Sequence, residues 1–308
     1  MKESKRIEML ELHQGKVSVV LDTDTACEVD DQFAVAYAVR SAEAGELVLE
    51  GLHATQFSDD PADGMERSYQ EIHKVLDLMG NTEYKNIVYR GADRKMTKGE
   101  PVMSDAVNHL IELAKDESRE GPLYVVAIGS GTNIASALMA APEIKEKIVL
   151  VWLAGNVMHW SNVAEYNIGQ DITAAQYIFD SGVPLVLLPA YNVVEALSTT
   201  IYELEHFLGG KNDLCDFLVE NVRKYSEKDA KPNEAWTKVI WDIAGIAYIV
   251  NPKEWFISRL IPTPILSDPK DWEWDMKWAS DPTRPTMRIV DYVERSPIFQ
   301  DVFDKLVK

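Results

Sequence analysis

An apolar run at residues 17–21 (VSVVL) stops abruptly at Asp22, and four more carboxylates follow within ten residues: Asp24, Glu28, Asp30 and Asp31. Residues 33–39 then resume an apolar pattern suited to a helix. Such a run fits a buried parallel strand, and the segment after it is long enough for a crossover helix. Five carboxylates in one strand-to-helix turn repel one another unless a cation or a polyhydroxy ligand sits among them, each close pair costing on the order of several kcal/mol at low effective dielectric. The plain alternative is a solvated acidic loop with Asp30 as the helix N-cap. A D-x-D followed by D-D directly after a strand favours a site, because open α/β sheets gather ligands at strand carboxyl ends.

The same alternation recurs along the chain. Strand-like runs fall at residues 47–55, 86–89, 123–128, 148–153 and 183–188, with helical periodicity at 65–79 (closed by Gly80), 106–113 and 132–139. From Ser198 the pattern turns helical, at 202–208, 214–225 and 239–250, before a strand-like 286–290 and a final helix at 298–307. This predicts an α/β fold with an open, mostly parallel central sheet, helices on both faces and a Rossmann-like site at the strand carboxyl ends. Residues 1–16 read as a tail or surface helix. Without internal repeats or a dividing linker, residues 17–308 read as a single domain.

A formal charge of −19, from 31 basic and 50 acidic residues, leaves no basic stripe to neutralise phosphates. It argues against nucleic-acid and anionic-membrane partners. Two cysteines, Cys27 and Cys215, cannot build a disulfide framework or a cysteine-based zinc site. The polar N-terminus has no hydrophobic segment of a secretory signal, and no apolar run reaches the roughly 18–20 residues that span a bilayer. The expected address is cytoplasmic.

Three further places put polar groups where a parallel sheet holds its ligand. Ile128-Gly129-Ser130-Gly131 is a small-residue turn whose main chain can approach a ligand and whose carbonyls suit a hard cation; taken alone it is an ordinary tight turn. Glu165 and Asn167, two residues apart, can point to one side of extended backbone and bond hydroxyls. Asp242, next to Trp241 in an apolar helical pattern, is a carboxylate that burial forces to find an Arg or a metal.

In series, the D-x-D…D-D turn, the A-x-G-x-x-T-N-I-A run at residues 127–135, the A-E-Y-N at 164–167 and the late Asp242 resemble the inosine-uridine type nucleoside hydrolase family over about residues 17–305. The resemblance implies a calcium ion held by Asp24, Asp31, the Ile128 carbonyl and Asp242, with Asp24 as general base. It implies ribose hydroxyls on Asp30, Asn167 and Glu165, Asp22 in support behind them, a nucleoside substrate, and a homodimer or homotetramer. The chemistry agrees: calcium takes roughly six to eight hard oxygen ligands, and carboxylates favour an oxocarbenium-like transition state.

The chain also departs from that family. Five residues, 25–29, separate Asp24 from Asp30, a longer loop than the usual Pro-Gly form and similar to a bacterial branch, and Glu28 within it has no assigned role. Ser58 stands where many members place a sugar-contacting Asn. In the loop before Glu165, Asn162 is the favoured contact for the 5′-hydroxyl, over His159 and Ser161. Trp241 replaces a base-protonating His, as in the purine-specific branch, which implies stacking on a purine unless Trp241 only packs the helix. His53, His73, His109 and His159 remain candidate acids. Two other readings stand beside this one: a non-catalytic or altered-specificity calcium- and ribose-binding protein on the same scaffold, and a haloacid dehalogenase-type phosphatase suggested by Asp22-Thr23-Asp24-Thr25, which lacks that motif's next Thr or Val because Ala26 is there.

Overall fold

The computed structural model describes residues 1–231, 234–269 and 275–308. In chain order the elements are α1 (Glu3–Met9), β1 (Val17–Thr23), α2 (Asp31–Glu43), β2 (Leu47–Ala54), α3 (Pro61–Met79), β3 (Val88–Arg90), α4 (Asp105–Lys115), β4 (Leu123–Ala127), α5 (Thr132–Ala140), β5 (Ile148–Leu153), α6 (Tyr166–Gln170), α7 (Ile172–Ser181) and β6 (Leu185–Leu188). They continue with β7 (Ser198–Thr199), α8 (Ile201–Leu208), α9 (Asp213–Asp229), β8 (Lys238–Val239), α10 (Ile243–Val250), β9 (Phe256–Pro262), β10 (Ile265–Leu266), β11 (Trp278–Ala279), β12 (Thr286–Val293) and α11 (Arg295–Leu306).

Eight strands form one sheet in the order β3-β2-β1-β4-β5-β6-β12-β9. All neighbours pair parallel except β9, which runs antiparallel to β12 at the edge. The expected mostly parallel sheet with helices on both faces is therefore present. Its central strands carry unbroken apolar runs such as LYVVA and IVLVWL, buried along their whole length, because helices cover both faces. One apolar core, including Phe33, Tyr37, Leu76, Leu218 and Ile246, lies on one side; the other, including Leu110, Leu138, Trp152 and Ile178, lies opposite. Beside β1 the strand order reverses, since β2 follows on one side and β4 on the other. This is the switch point where such sheets open a crevice at their carboxyl ends.

Local chemistry sets the helix ends. Asp60 accepts the Asp63 N–H with Pro61 in the first turn, so α3 starts ahead of the helical periodicity expected at 65–79. Gly80 closes that helix at φ 72°. The edge strand β9 and helix α7 were not foreseen from sequence. The helix expected at 239–250 is shorter: Lys238 and Val239 form β8, paired with β7, and α10 begins only at Ile243. Residues 1–16 include α1, where the buried Arg6 donates to the Gly182 carbonyl and Leu10 enters the core. Among the described residues no helix is long and apolar enough to cross a membrane.

Candidate active site

Strand β1 delivers Asp22 to the floor beneath the crevice. Its Oδ2 accepts the Asn133 amide at 2.8 Å, and the Asn133 carbonyl oxygen in turn accepts the Ala92 N–H at 2.8 Å. Burial pushes the Asp22 carboxyl up to about 7, with the Asn133 bond pulling the other way. Asp22 does not line the cavity, which is not the setting of the phosphatase nucleophile that its D-x-D motif suggests.

Past Thr23 the chain turns, the Cys27 N–H reaching the Asp24 carbonyl at 2.7 Å. Gly129 of the β4–α5 turn comes so close that an added Cβ would sit 2.9 Å from the Asp24 Oδ1, so this approach needs a glycine. Asp31 opens α2 and accepts the Thr23 hydroxyl at 2.6 Å. Asp30 occupies the N-cap position without capping; its Oδ2 instead accepts the Trp241 N–H at 3.0 Å. The acidic turn is thus not a solvated capping loop. Asp242 stands at the N-terminal end of α10, not inside a helix as its sequence context suggested, and there the helix dipole favours an anion.

These four carboxylates are buried, Asp242 being the most exposed at 5%. Carboxylate oxygens of Asp30, Asp31 and Asp242 lie within 4.8 Å of one another. Burial first, then the charge of Asp31, holds Asp24 well above the ordinary carboxylate range; burial and the charges of Asp30, Asp31 and Asp24 do the same for Asp242. Burial raises Asp30 to about 8, against the pull of Lys238, and Asp31 to about 6, against the Thr23 hydroxyl. Asp24 Oδ2 and Asp30 Oδ1 are buried without a hydrogen-bond partner. Orphaned, mutually repelling hard oxygens are the donor set of a hard cation, so the residues fit a metal ion. The close cluster includes Asp30, which the family resemblance assigns to the sugar.

The carboxylates line a cavity of about 430 Å³. Asn167, which lines it too, donates its amide to the Ile128 carbonyl at 3.0 Å and the Leu153 carbonyl at 2.9 Å. Glu165 caps α6, accepting the Asn167 and Ile168 N–H groups at 2.8 Å each, and still lines the cavity. Burial raises its carboxyl despite those bonds. Tyr166, Tyr191, Tyr225 and Trp241 supply aromatic surface, with Tyr191 edge-on to Trp241 at 5.3 Å and Trp160 stacked on Tyr191 at 6.0 Å.

Other expected residues lie elsewhere. Asn162 is outside the lining, where its Oδ1 accepts the Ala164 N–H at 3.0 Å. Asn156 is the amide that organises this loop, bonding the Ala164 carbonyl at 3.0 Å and the Tyr191 N–H at 3.3 Å. Ser58, also outside the lining, bonds the Asp60 backbone. His53, His73, His109 and His159 do not line the cavity. Buried His53 pairs with His109 at 2.9 Å, and burial lowers it to about 3.

Sequence reasoning missed Tyr191, Tyr225, Lys228 and Lys238. Tyr191 was findable, since it follows the sixth strand at its carboxyl end. Lys238 explains Glu28: its ammonium is 2.7 Å from Glu28 Oε2, and Tyr225 donates to Oε1 at 2.5 Å. Burial alone would raise Glu28, but Lys238 holds it below its ordinary value.

The model of the inosine-uridine preferring nucleoside hydrolase family matches residues 19–296. A pyrimidine-specific ribonucleoside hydrolase, RihA, of Salmonella paratyphi A is 28% identical over 162 residues, 50% of this chain and 51% of that protein, so the chain spans about half the length of this curated relative. RihA of Escherichia coli O1:K1 / APEC is 24% identical over 262 residues, 76% of this chain and 80% of its own. In fold, the purine-preferring ribonucleoside hydrolase from Gardnerella vaginalis superimposes with a TM-score of 0.74 at 22% identity, covering 94% of this chain and 98% of that one. The chain belongs to the inosine-uridine preferring nucleoside hydrolase family.

Proposed function

We propose that this protein hydrolyses the N-glycosidic bond of ribonucleosides in a calcium-dependent reaction, releasing free base and ribose, with a preference for purines. The observation that carries the reading is the buried carboxylate cluster, with unpartnered oxygens on Asp24 and Asp30, lining one cavity together with four aromatic side chains. Asp24, Asp31, Asp242 and the Ile128 carbonyl would hold the ion. When bound it supplies charge compensation and Lewis-acid polarisation of the oxygens around it.

Asp24 accepts a proton from the attacking water as its oxygen bonds to C1′. The C1′–N bond breaks and its electron pair leaves with the base. Asp30 and Asn167 hold the ribose 2′- and 3′-hydroxyls, Glu165 faces the 5′ end, and the carboxylate wall favours positive charge developing on the sugar. Asp22 fixes the floor through Asn133. Trp241 and Tyr191 give the base a stacking surface, larger for a purine than for a pyrimidine. Names among the relatives support both base classes, and the aromatic wall is what favours purines here.

Reducing-sugar release from a panel of purine and pyrimidine nucleosides, with calcium and with chelator, tests the reading. Calcium-dependent release, faster from purines, is expected. No release from any nucleoside by the calcium-loaded protein overturns the activity, and faster release from pyrimidines overturns the preference.

A further inference from the structure

Asp30 has two oxygens with different surroundings. Oδ2 accepts the Trp241 N–H at 3.0 Å, whereas Oδ1 is buried without a hydrogen-bond partner and lies 3.7 Å from the Lys238 ammonium. Lys238 is itself buried, and its Nζ also reaches Glu28 Oε2 at 2.7 Å and the Val239 carbonyl at 2.8 Å. Its backbone belongs to the β7–β8 pair, whose continuation supplies Trp241 and Asp242, so one short segment meets Asp30 from both sides. The ring of Tyr225 lies 5.3 Å from the ammonium, and Lys228 lines the cavity.

Asp30 is close enough to Asp31 and Asp242 to ligate the same ion. A carboxylate wrapped into a cation's coordination is a poorer partner for sugar hydroxyls. We infer that Lys238 is a resident cation that keeps Asp30 out of the metal's coordination, reserving its carboxylate for ribose, while it neutralises Glu28 and pins the lengthened 25–29 loop. Lys238 is a positioning residue on this view. The inference deepens the proposed function and rests on its assignment of Asp30 to the sugar.

The sign of one measurement separates this role from a merely structural one. Removing the ammonium takes away repulsion of the metal and frees an Asp30 oxygen, so calcium binding tightens; a lost structural support would loosen it. In a calorimetric calcium titration of chelator-treated protein, Lys238→Met is expected to lower the calcium Kd by roughly tenfold, consistent with one nearby charge at an intermediate dielectric. The nucleoside KM should rise with kcat changing less, and Lys238→Arg should resemble the parent. The double variant Lys238→Met/Glu28→Gln removes the acidic partner as well, guarding against a folding defect caused by an unpaired Glu28; it also takes away a charge that attracts the ion, so a smaller tightening is expected. Calcium binding unchanged or weaker in both folded variants overturns the inference. Because the titration needs no turnover, it reads Lys238 even where nucleosides prove not to be substrates.

Discussion

The Asn167 side-chain amide donates to the Ile128 main-chain carbonyl at 3.0 Å, coupling the residue expected to hold ribose to the oxygen expected to face the ion. The same amide serves Leu153 at 2.9 Å, so one side chain ties together the ends of β4 and β5. Asn167→Ala strands two acceptors in a buried setting, at about 1–3 kcal/mol for each group left unsatisfied. The expected outcome is a lower Tm together with a raised KM and weaker calcium binding. A variant with lowered Tm but unchanged KM and calcium affinity would reduce Asn167 to a packing residue.

Asp24→Asn should separate activity from stability. The carboxamide cannot accept the proton, and loss of a general base costs about 10²- to 10⁴-fold in rate. It also replaces a buried carboxyl whose ionised form burial, Asp31 and Asp30 all oppose. Chelated Asp24→Asn protein should therefore melt at or above the chelated parent while kcat collapses. Parent-like turnover in this variant removes Asp24 from the reaction.

Chelation should expose a pH dependence that the ion conceals. In the ion-free fold Asp31 titrates near 6 and Asp30 near 8, both above the ordinary carboxylate value of the unfolded chain. Between the unfolded value and these raised ones the folded state binds more protons than the unfolded state. Their contribution to stability then falls as pH rises through that window. Above about pH 6.5, where the buried His53 no longer adds stability with rising pH, Tm of the chelated protein should drop towards pH 8, and added calcium should restore most at the upper end. A chelated Tm that rises across this range contradicts the raised carboxyls.

Legibility from sequence followed how local the causes were. Apolar runs bounded by Gly, Pro and acidic turns located the parallel strands because both faces of the sheet are covered, leaving unbroken hydrophobic segments. The exposed edge strand β9 had no such signature: Ile257, Arg259 and Leu260 are exposed, so neither an apolar run nor a clean alternation marks it. The acidic turn was visible as a repelling cluster wanting a cation. What paired with Glu28 was not, because Lys238 is 210 residues away and only the β7–β8 pair brings it there. Asn162, favoured as the 5′-hydroxyl contact, lies outside the cavity lining, and Asn156, which bonds both the Ala164 carbonyl and the Tyr191 N–H, had no motif to mark it.

Trp241 offers the sharpest test of base preference. Its backbone N–H, not its ring, bonds Asp30, so changing the side chain leaves that contact in place. The ring is partly buried against the core and meets Tyr191 at 67°, leaving aromatic surface on the cavity. Aromatic stacking of a base is worth about 1–3 kcal/mol by alanine substitution, or roughly 5- to 150-fold in affinity. Trp241→Ala should raise KM for purine nucleosides within that range and for pyrimidine nucleosides by less, narrowing the ratio between them, while Trp241→Phe retains most of the preference. Equal losses for both base classes, accompanied by a lowered Tm, would mean that the indole packs the fold and that the preference arises elsewhere on the aromatic wall.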